Sequence, residues 1–229
     1  GSAASAALLL RQGADPNATE ATKAQTPLMF AAALNRVDVM DELVRGGADI
    51  TLETLIVDYP LMEARDQVAV TQRNRQLAAL HGDDIVPDRP VDGTSRDDEE
   101  YEEPTEIKVP VIPEAPEDRK PLSYAMLVGK QGGNTALHYA TREGHLEATA
   151  FLLEAGAELN GLSSGNHTSP LLSATVNGHF DLAMWLLEQG ADPRIASDPG
   201  ATPLYVTLHR QWALQSFFPQ PVALRQNET

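Results

Sequence analysis

Two sets of residues in this sequence have types and spacings that suggest chemistry: a serine flanked by glycines, and six histidines. Gly161 to Gly165 match the G-x-S-x-G pattern that surrounds the nucleophilic serine of some hydrolases. That serine must follow a buried strand and precede a helix directly, whereas here a helical segment and a hairpin come before it. We therefore interpret the segment as a turn.

The histidines have no spacing typical of a metal site, such as two histidines four residues apart beside a glutamate. His145 and His179 each follow a glycine in two similar segments, which predicts a structural role in a turn, and His138 is predicted to cap or link hairpins. The chain has no cysteine, which excludes disulfides, thiolate zinc sites and cysteine nucleophiles. We predict no catalytic residue, no metal and no cofactor.

The elements that position these residues are predicted as a two-helix unit, most complete between residues 133 and 160. Thr135 is expected to begin the first helix, because a threonine hydroxyl caps the free N–H groups of a first turn. Gly144 turns the chain, and Gly156 ends a second helix over residues 146–154, because glycine suits the left-handed conformation that closes helices.

The same unit recurs along the chain with a period of 33 or 34 residues. Helix openers occur at Thr26, Thr135, Ser169 and Thr202. Closing Gly-Ala-Asp or Gly-Ala-Glu triplets begin at Gly13, Gly47, Gly156 and Gly190. Since two short helices cannot bury their apolar faces alone, such units are expected to stack on one another.

In its period, its Thr-Pro-Leu openers, its Gly-His turns and its Gly-Ala-Asp-x-Asn closer, the sequence resembles the ankyrin-repeat family over roughly two thirds of its length. The resemblance implies an all-α, ankyrin-type helix-turn-helix solenoid with short hairpin loops, here interrupted by a long, partly irregular insertion. It departs at His138, which is replaced by Met29, Leu172 and Tyr205 in the other copies. The Thr–His hydrogen bonding of the family is therefore expected in one copy only.

A long insertion is inferred from the distance between a closing glycine and the next helix opener. Gly47 and Thr135 are 88 residues apart, whereas the same distance is 12 or 13 residues in the other repeats. About 75 residues are thus inserted at a hairpin, a loop whose closure costs on the order of 4 kcal/mol. We predict five segments: N-terminal repeats (1–51, half a repeat plus one full), a helical part of the insertion (52–82, with a helix at about 60–80), an acidic, Pro-rich extended segment (83–121), C-terminal repeats (122–212) and an irregular tail (213–229).

The acidic segment has 14 acidic and 5 basic residues between positions 83 and 120 and is expected to stay extended, because it cannot bury enough apolar surface to fold alone. Two overlapping PxxP spacings between Pro110 and Pro116 favour a polyproline conformation that can dock in an aromatic groove. Because such short motifs recur by chance, we interpret the segment as an extended linker. Residues 106–112 would alternatively lie along the hairpin edges or fill the chain's own groove. As a lid, residues 106–120 would contact Tyr139 and Arg142.

The net charge of −16 argues against nucleic acid and anionic membranes as partners, and no apolar run approaches the length of a membrane span. The resemblance implies binding to a protein through hairpin tips and the exposed face of each first helix. The matching positions are Lys23, Gln25, Ala33, Leu34, Lys130, Gln131, Asn134, Tyr139, Arg142, Glu143, His167, Thr168, Val176 and Asn177.

The favoured interpretation is a non-enzymatic protein-protein interaction module, with the acidic insertion as a tether or lid. The sequence begins with the second helix of a repeat and the last repeat, with its first helix over 195–212, has no second helix, so both ends are expected to expose apolar surface. One alternative is a structural subunit buried in a larger assembly through these open ends. Another is an accessory domain of a longer enzyme.

Overall fold

The computed structural model describes residues 2–81 and 123–212. Within them the elements are α1 (Ala3–Arg11), α2 (Pro27–Ala33), α3 (Val37–Arg45), β1 (Val57–Asp58), α4 (Tyr59–His81), α5 (Tyr124–Val128), β2 (Lys130–Gln131), α6 (Ala136–Arg142), α7 (Leu146–Glu154), α8 (Pro170–Val176), α9 (Phe180–Glu188) and α10 (Pro203–Trp212). None of these helices is both long enough and apolar enough to cross a membrane.

Each first helix begins at a polar cap, as the sequence predicts. Thr26 Oγ1 accepts the Met29 N–H at 3.3 Å, and Ser169 Oγ accepts the Leu172 N–H at 3.2 Å. A proline follows both caps at a position where no N–H is needed. The predicted two-helix unit is observed as α6 and α7, and the all-α repeat fold is confirmed.

The helices form two rows. The first helices α2, α6, α8 and α10 pack one against the next, and α1, α3 and α7 belong to the row of second helices. The apolar faces of the two rows pack against each other through fully buried side chains such as Met40, Leu137 and Leu152. Because α2 packs directly against α6, the array continues across the insertion without a gap.

The insertion enters and leaves through one hairpin. Val57 pairs with Gln131 in an antiparallel ladder of two residues, and Tyr59 N–H donates to Gly129 O at 3.4 Å beside it. Gly132 has φ +100°, and a Cβ on it would lie 2.0 Å from Leu55 O, so only glycine fits there. The two strands of this hairpin are therefore hydrogen-bonded to each other at the point where the inserted residues begin and end.

The described parts of the insertion, residues 60–81 and 123–128, belong to a unit of their own. The helix predicted at about 60–80 is present as α4, and Ser123 Oγ donates to Glu63 Oε2 within this unit. Apolar side chains such as Leu61 and Val68 are exposed along α4. The acidic segment 83–121, with its PxxP spacings and the predicted lid residues, and the tail 213–229 lie outside the described residues.

The last first helix is shorter than the sequence predicts. It begins at Pro203 and not near residue 195, but the opener predicted at Thr202 is confirmed, since Thr202 Oγ1 accepts the Tyr205 N–H at 3.2 Å. The preceding residues form a hairpin in which Ser197 N–H donates to Ala201 O at 3.0 Å. Pro199 and Gly200, the latter at φ +82°, favour this turn over a helix.

Candidate binding surface

The hairpins between repeats are linked in a continuous row by backbone hydrogen bonds. Leu55 N–H donates to Lys23 O at 2.8 Å, Gly133 N–H to Thr54 O at 3.2 Å and Ser164 N–H to Gly133 O at 3.1 Å. A similar bond joins the last two hairpins. The hairpin residues predicted to bind a partner thus belong to one ladder that fixes their spacing.

Each hairpin tip places one residue in the left-handed region. Ala24, Gly133, His167 and Gly200 occupy the same position in successive hairpins, with φ between 54° and 82°. Alanine and histidine adopt this conformation at a cost that glycine avoids. At one tip His167 Nδ1 lies 2.7 Å from Asp198 Oδ1, which fixes an exposed side chain of the predicted site.

The hairpin at the insertion carries three predicted site residues. Lys130 Nζ lies 3.5 Å from Asp58 Oδ2 across the two-residue ladder, and Gln131 is exposed beside it. Asn134 is half-buried, and its backbone N–H donates to Thr54 Oγ1 at 3.0 Å. Lys130 and Gln131 present side chains to solvent here, whereas Asn134 mainly secures the hairpin.

The ends of the first helices present a mixed surface. Leu34 and Val176 are exposed apolar side chains, and Arg142 Nη2 pairs with Glu143 Oε1 at 3.0 Å between them in the row. Ala33 and Asn177 at neighbouring positions are half-buried.

Tyr139 does not lie on an exposed helix face, contrary to the sequence-based expectation. Its side chain is only 6% exposed. Gln25 of the preceding repeat donates from Nε2 to the phenol oxygen at 2.7 Å, and the Arg142 guanidinium lies 4.7 Å from the ring centroid. The ring therefore joins two repeats, and Arg142 is the residue that presents itself at the surface.

His138 links two neighbouring repeats from a buried position. Its Nδ1 lies 2.9 Å from Thr135 Oγ1, and its Nε2 lies 2.9 Å from Thr168 O in the next hairpin. This confirms the predicted capping and linking role. Burial lowers the pKa of His138, and the hydrogen bond to Thr168 and the nearby Glu53 carboxylate only partly oppose that effect. In the first full repeat, Met29 Sδ accepts the cap N–H instead.

The two Gly-His turns also link repeats. His145 Nε2 lies 3.1 Å from Ala33 O, and His179 Nε2 lies 2.9 Å from Arg142 O, each in the preceding repeat. The predicted structural role of these histidines is confirmed.

The serine of the G-x-S-x-G pattern is part of a turn, as the sequence predicts. Ser163 is fully buried, its hydroxyl donates to Asn166 Oδ1 at 2.9 Å, and it accepts the Thr168 N–H at 3.0 Å. This hydroxyl already donates one hydrogen bond and accepts another, and it has no access to solvent, so it cannot attack a substrate. Among the described residues, no group of three or more histidine or acidic side chains is placed to hold a metal ion.

The sequence predicts exposed apolar surface at this end of the repeats, and the structure has an apolar groove there, between α1, α2 and α3. Its volume is about 380 Å³, and it is lined by Leu9, Leu10, Phe30, Leu34, Val39 and Leu43. Comparing each repeat position by position would have revealed it, since Leu9 stands where complete repeats have a buried leucine.

Comparison with known families identifies the fold. Residues 118–197 match the family described as ankyrin repeats in three copies, and residues 23–52 match the ankyrin repeat. The chain is an ankyrin-repeat protein, and ankyrin repeats generally mediate protein-protein interaction. A search of curated proteins found no match to the chain.

Proposed function

We propose that this chain is a non-enzymatic module that binds a protein partner along the surface formed by its hairpin tips and the exposed ends of its first helices. The observation that supports this most is the direct packing of α2 on α6, which makes the surface continuous from repeat to repeat despite the insertion. A rigid surface binds with little ordering cost. The partner surface that fits is one with apolar contacts for Leu34 and Val176 and an ionic contact for Arg142 or Glu143.

The absence of catalysis is supported by what the candidate catalytic groups do. Ser163 is buried in a turn and His138 is buried between repeats. The net charge of −16 further disfavours nucleic acid as the partner.

The insertion is proposed to act as a tether or a lid for this surface. Both of its ends are fixed at one hairpin, where Lys130 and Asp58 pair, so the inserted chain begins and ends within the row of hairpin tips. A segment held at that point has a high local concentration near the surface.

The test compares partners captured from a native extract by the intact chain and by two doubly substituted variants. Glu143→Lys with Val176→Lys alters the proposed surface, and Glu154→Lys with Met184→Lys makes the same change at exposed positions of second helices. We expect the first variant to lose the partner and the second to retain it. Equal capture by both would refute this surface as the binding site.

A third variant replaces residues 60–128 with a two-residue Asn-Gly turn, which suits the ends of an antiparallel ladder. Increased capture would support a lid, and lost capture would show that the insertion itself recognises the partner. Unchanged capture would refute the lid, and only the role of a tether would then remain for the insertion.

A further inference from the structure

The middle of the proposed binding surface carries an aromatic residue and a cation that occur together in no other described first helix. Tyr139 and Arg142 lie three residues apart on α6 and so share one side of that helix. The matching pairs on α2, α8 and α10 are Phe30 and Ala33, Ser173 and Val176, and Val206 and His209. Within the described part of the row, α6 therefore presents a feature of its own.

The Arg142 side chain is held from two sides, and its backbone from a third. The guanidinium lies over the Tyr139 ring, with Cζ 4.7 Å from the ring centroid, and such a contact limits the orientations of a flexible side chain. Its Nε and Nη2 both lie 3.0 Å from Glu143 Oε1. The backbone oxygen of Arg142 lies 2.9 Å from His179 Nε2 of the next repeat. Binding through a side chain that is already oriented costs little further entropy.

Tyr139 is fixed in turn by the preceding repeat. Gln25 donates to its phenol oxygen at 2.7 Å, and the ring is buried. A buried ring whose hydroxyl is hydrogen-bonded keeps its place when the side chain above it moves. Tyr139 is therefore a positioning residue, which acts through Arg142 and does not itself contact a partner.

These contacts leave one edge of the guanidinium open. Glu143 Oε1 lies at the edge formed by Nε and Nη2, and it is the only hydrogen-bond or ion-pair partner of this side chain among the residues that the structure describes. Arginine has five N–H donors, so the edge formed by Nη1 and Nη2 keeps two parallel N–H groups. Such a pair binds a carboxylate through both of its oxygens. The Arg142 side chain is 47% exposed, so this edge is accessible.

The neighbours of Arg142 along the row are uncharged. Because α6 packs between α2 and α8, Ala33 precedes Arg142 at its position of the row and Val176 follows it. Val176 and the nearby Leu34 are exposed apolar side chains. A group that binds Arg142 is therefore accompanied by apolar contacts on both sides.

We propose that Arg142 binds a carboxylate of the protein partner, an aspartate or glutamate that lies between apolar residues, and that Tyr139 and Glu143 position the guanidinium for it. This inference rests on the proposed binding surface and names the chemistry of the partner there. It runs against the net charge of −16, which alone favours cationic partners. Charges are screened beyond about 8 Å at physiological ionic strength, so a direct contact with Arg142 outweighs the distant ones.

Three pools of short random peptides, with a central glutamate, glutamine or lysine, test this on the immobilised full chain. The wild type is expected to retain the glutamate pool about tenfold more than the lysine pool, the factor that one charge-assisted contact provides. Arg142→Gln should abolish this preference, and Arg142→Lys should weaken it, because an ammonium group lacks the two parallel donors. Arg45→Gln, which removes an exposed, ion-paired arginine of α3, is the matched control and should leave the preference unchanged.

Substitutions of Tyr139 test its positioning role. Tyr139→Leu removes the ring and is expected to lower the preference for glutamate while retention of the glutamine pool stays the same. A merely structural role would lower the retention of all three pools alike. Tyr139→Phe keeps the ring and should keep most of the preference. Phe30→Leu makes the aromatic-to-leucine exchange at the matching position of α2 and is the control. Circular dichroism checks that each variant is folded.

The proposal is overturned if the wild type retains the lysine pool as well as or better than the glutamate pool, or if the preference for glutamate survives Arg142→Gln. A preference that appears only after residues 60–128 are replaced by the Asn-Gly turn would show that the chain's own carboxylates occupy Arg142, which also overturns it. If no pool is retained above the blank resin, the proposed binding surface fails too. Retention without a preference for glutamate overturns only the present inference.

Discussion

Replacing His138 by leucine tests the link between two repeats. Leucine is the residue at the matching position 172, so its shape is compatible with this place in a first helix. The substitution removes the contacts of His138 with Thr135 and with Thr168 O, both at 2.9 Å. Thr168 O keeps the Ser163 N–H as a partner at 3.0 Å, so the loss is that of hydrogen bonds and not of an orphaned carbonyl. Since one such bond contributes about 0.5–1.5 kcal/mol, we expect His138→Leu to lower the free energy of unfolding by about that amount above pH ~7.

The same substitution should change how stability depends on pH. Burial lowers the pKa of His138 below its ordinary value of 6.5, so the folded state takes up this proton less readily than the unfolded chain. The stability that neutral His138 contributes is therefore fully present above the unfolded pKa and is lost as the pH falls below it. One such group changes the free energy of unfolding by at most about 1.4 kcal/mol per pH unit. The wild-type and His138→Leu curves should converge as the pH falls below 6.5.

Urea unfolding followed by circular dichroism across this pH range provides the measurement. Met29→Leu is the matched control, because it changes the same position of another repeat without removing a titratable group. Its curve should run parallel to that of the wild type. If the His138→Leu curve also runs parallel, burial of His138 has no effect on proton uptake, and the reasoning is refuted.

Two further substitutions test single backbone positions by the same unfolding measurement. Ala24→Gly should raise the free energy of unfolding by about 0.5–1 kcal/mol, because it relieves the left-handed conformation at φ +55°. Ala33→Gly within α2 should instead lower it by about 1 kcal/mol, and equal effects of the two would contradict the argument. Asn35→Ala should lower it by about 1–2 kcal/mol, because Asn35 Oδ1 accepts the Ala148 N–H at 3.1 Å and so caps α7 from the preceding repeat, and because alanine adopts φ +52° less readily than asparagine does. Glu147→Ala, which removes only the exposed contact with Asn35 Nδ2, should stay within about 0.5 kcal/mol of wild type, and similar losses for both variants would argue against the cap.

Features set by local sequence were predictable, and features set between distant segments were not. The limits of α6 and α7 follow from Thr135, Gly144 and Gly156, whose conformational preferences act within one or two turns. The burial of Tyr139 depends on Gln25, 114 residues earlier, and is decided only when the repeats on either side of the insertion pack together. The surface residues of the candidate site remain a prediction from the repeat pattern, since no partner contact has been observed.

The repeat pattern also predicts a first helix from Ile195 to Trp212, which is longer than the observed helix α10. A proline-glycine turn inside that range gives a hairpin, and the helix begins only after Thr202. The capping of α7 by Asn35 could not be predicted either, because Asn35 replaces the glycine found at this turn in the later repeats and its partner lies more than a hundred residues away.

The insertion also affects the order in which the array folds. The caps of α2 and α6 are 109 residues apart (135 − 26), whereas those of α6 and α8 are 34 apart (169 − 135). By the logarithmic dependence of loop closure on length, this raises the entropic cost of forming the α2–α6 contact by about 1 kcal/mol, or roughly a fivefold slower encounter. We therefore expect the repeats before and after the insertion to nucleate as two short arrays, with docking of α2 on α6 as the slow step that joins them.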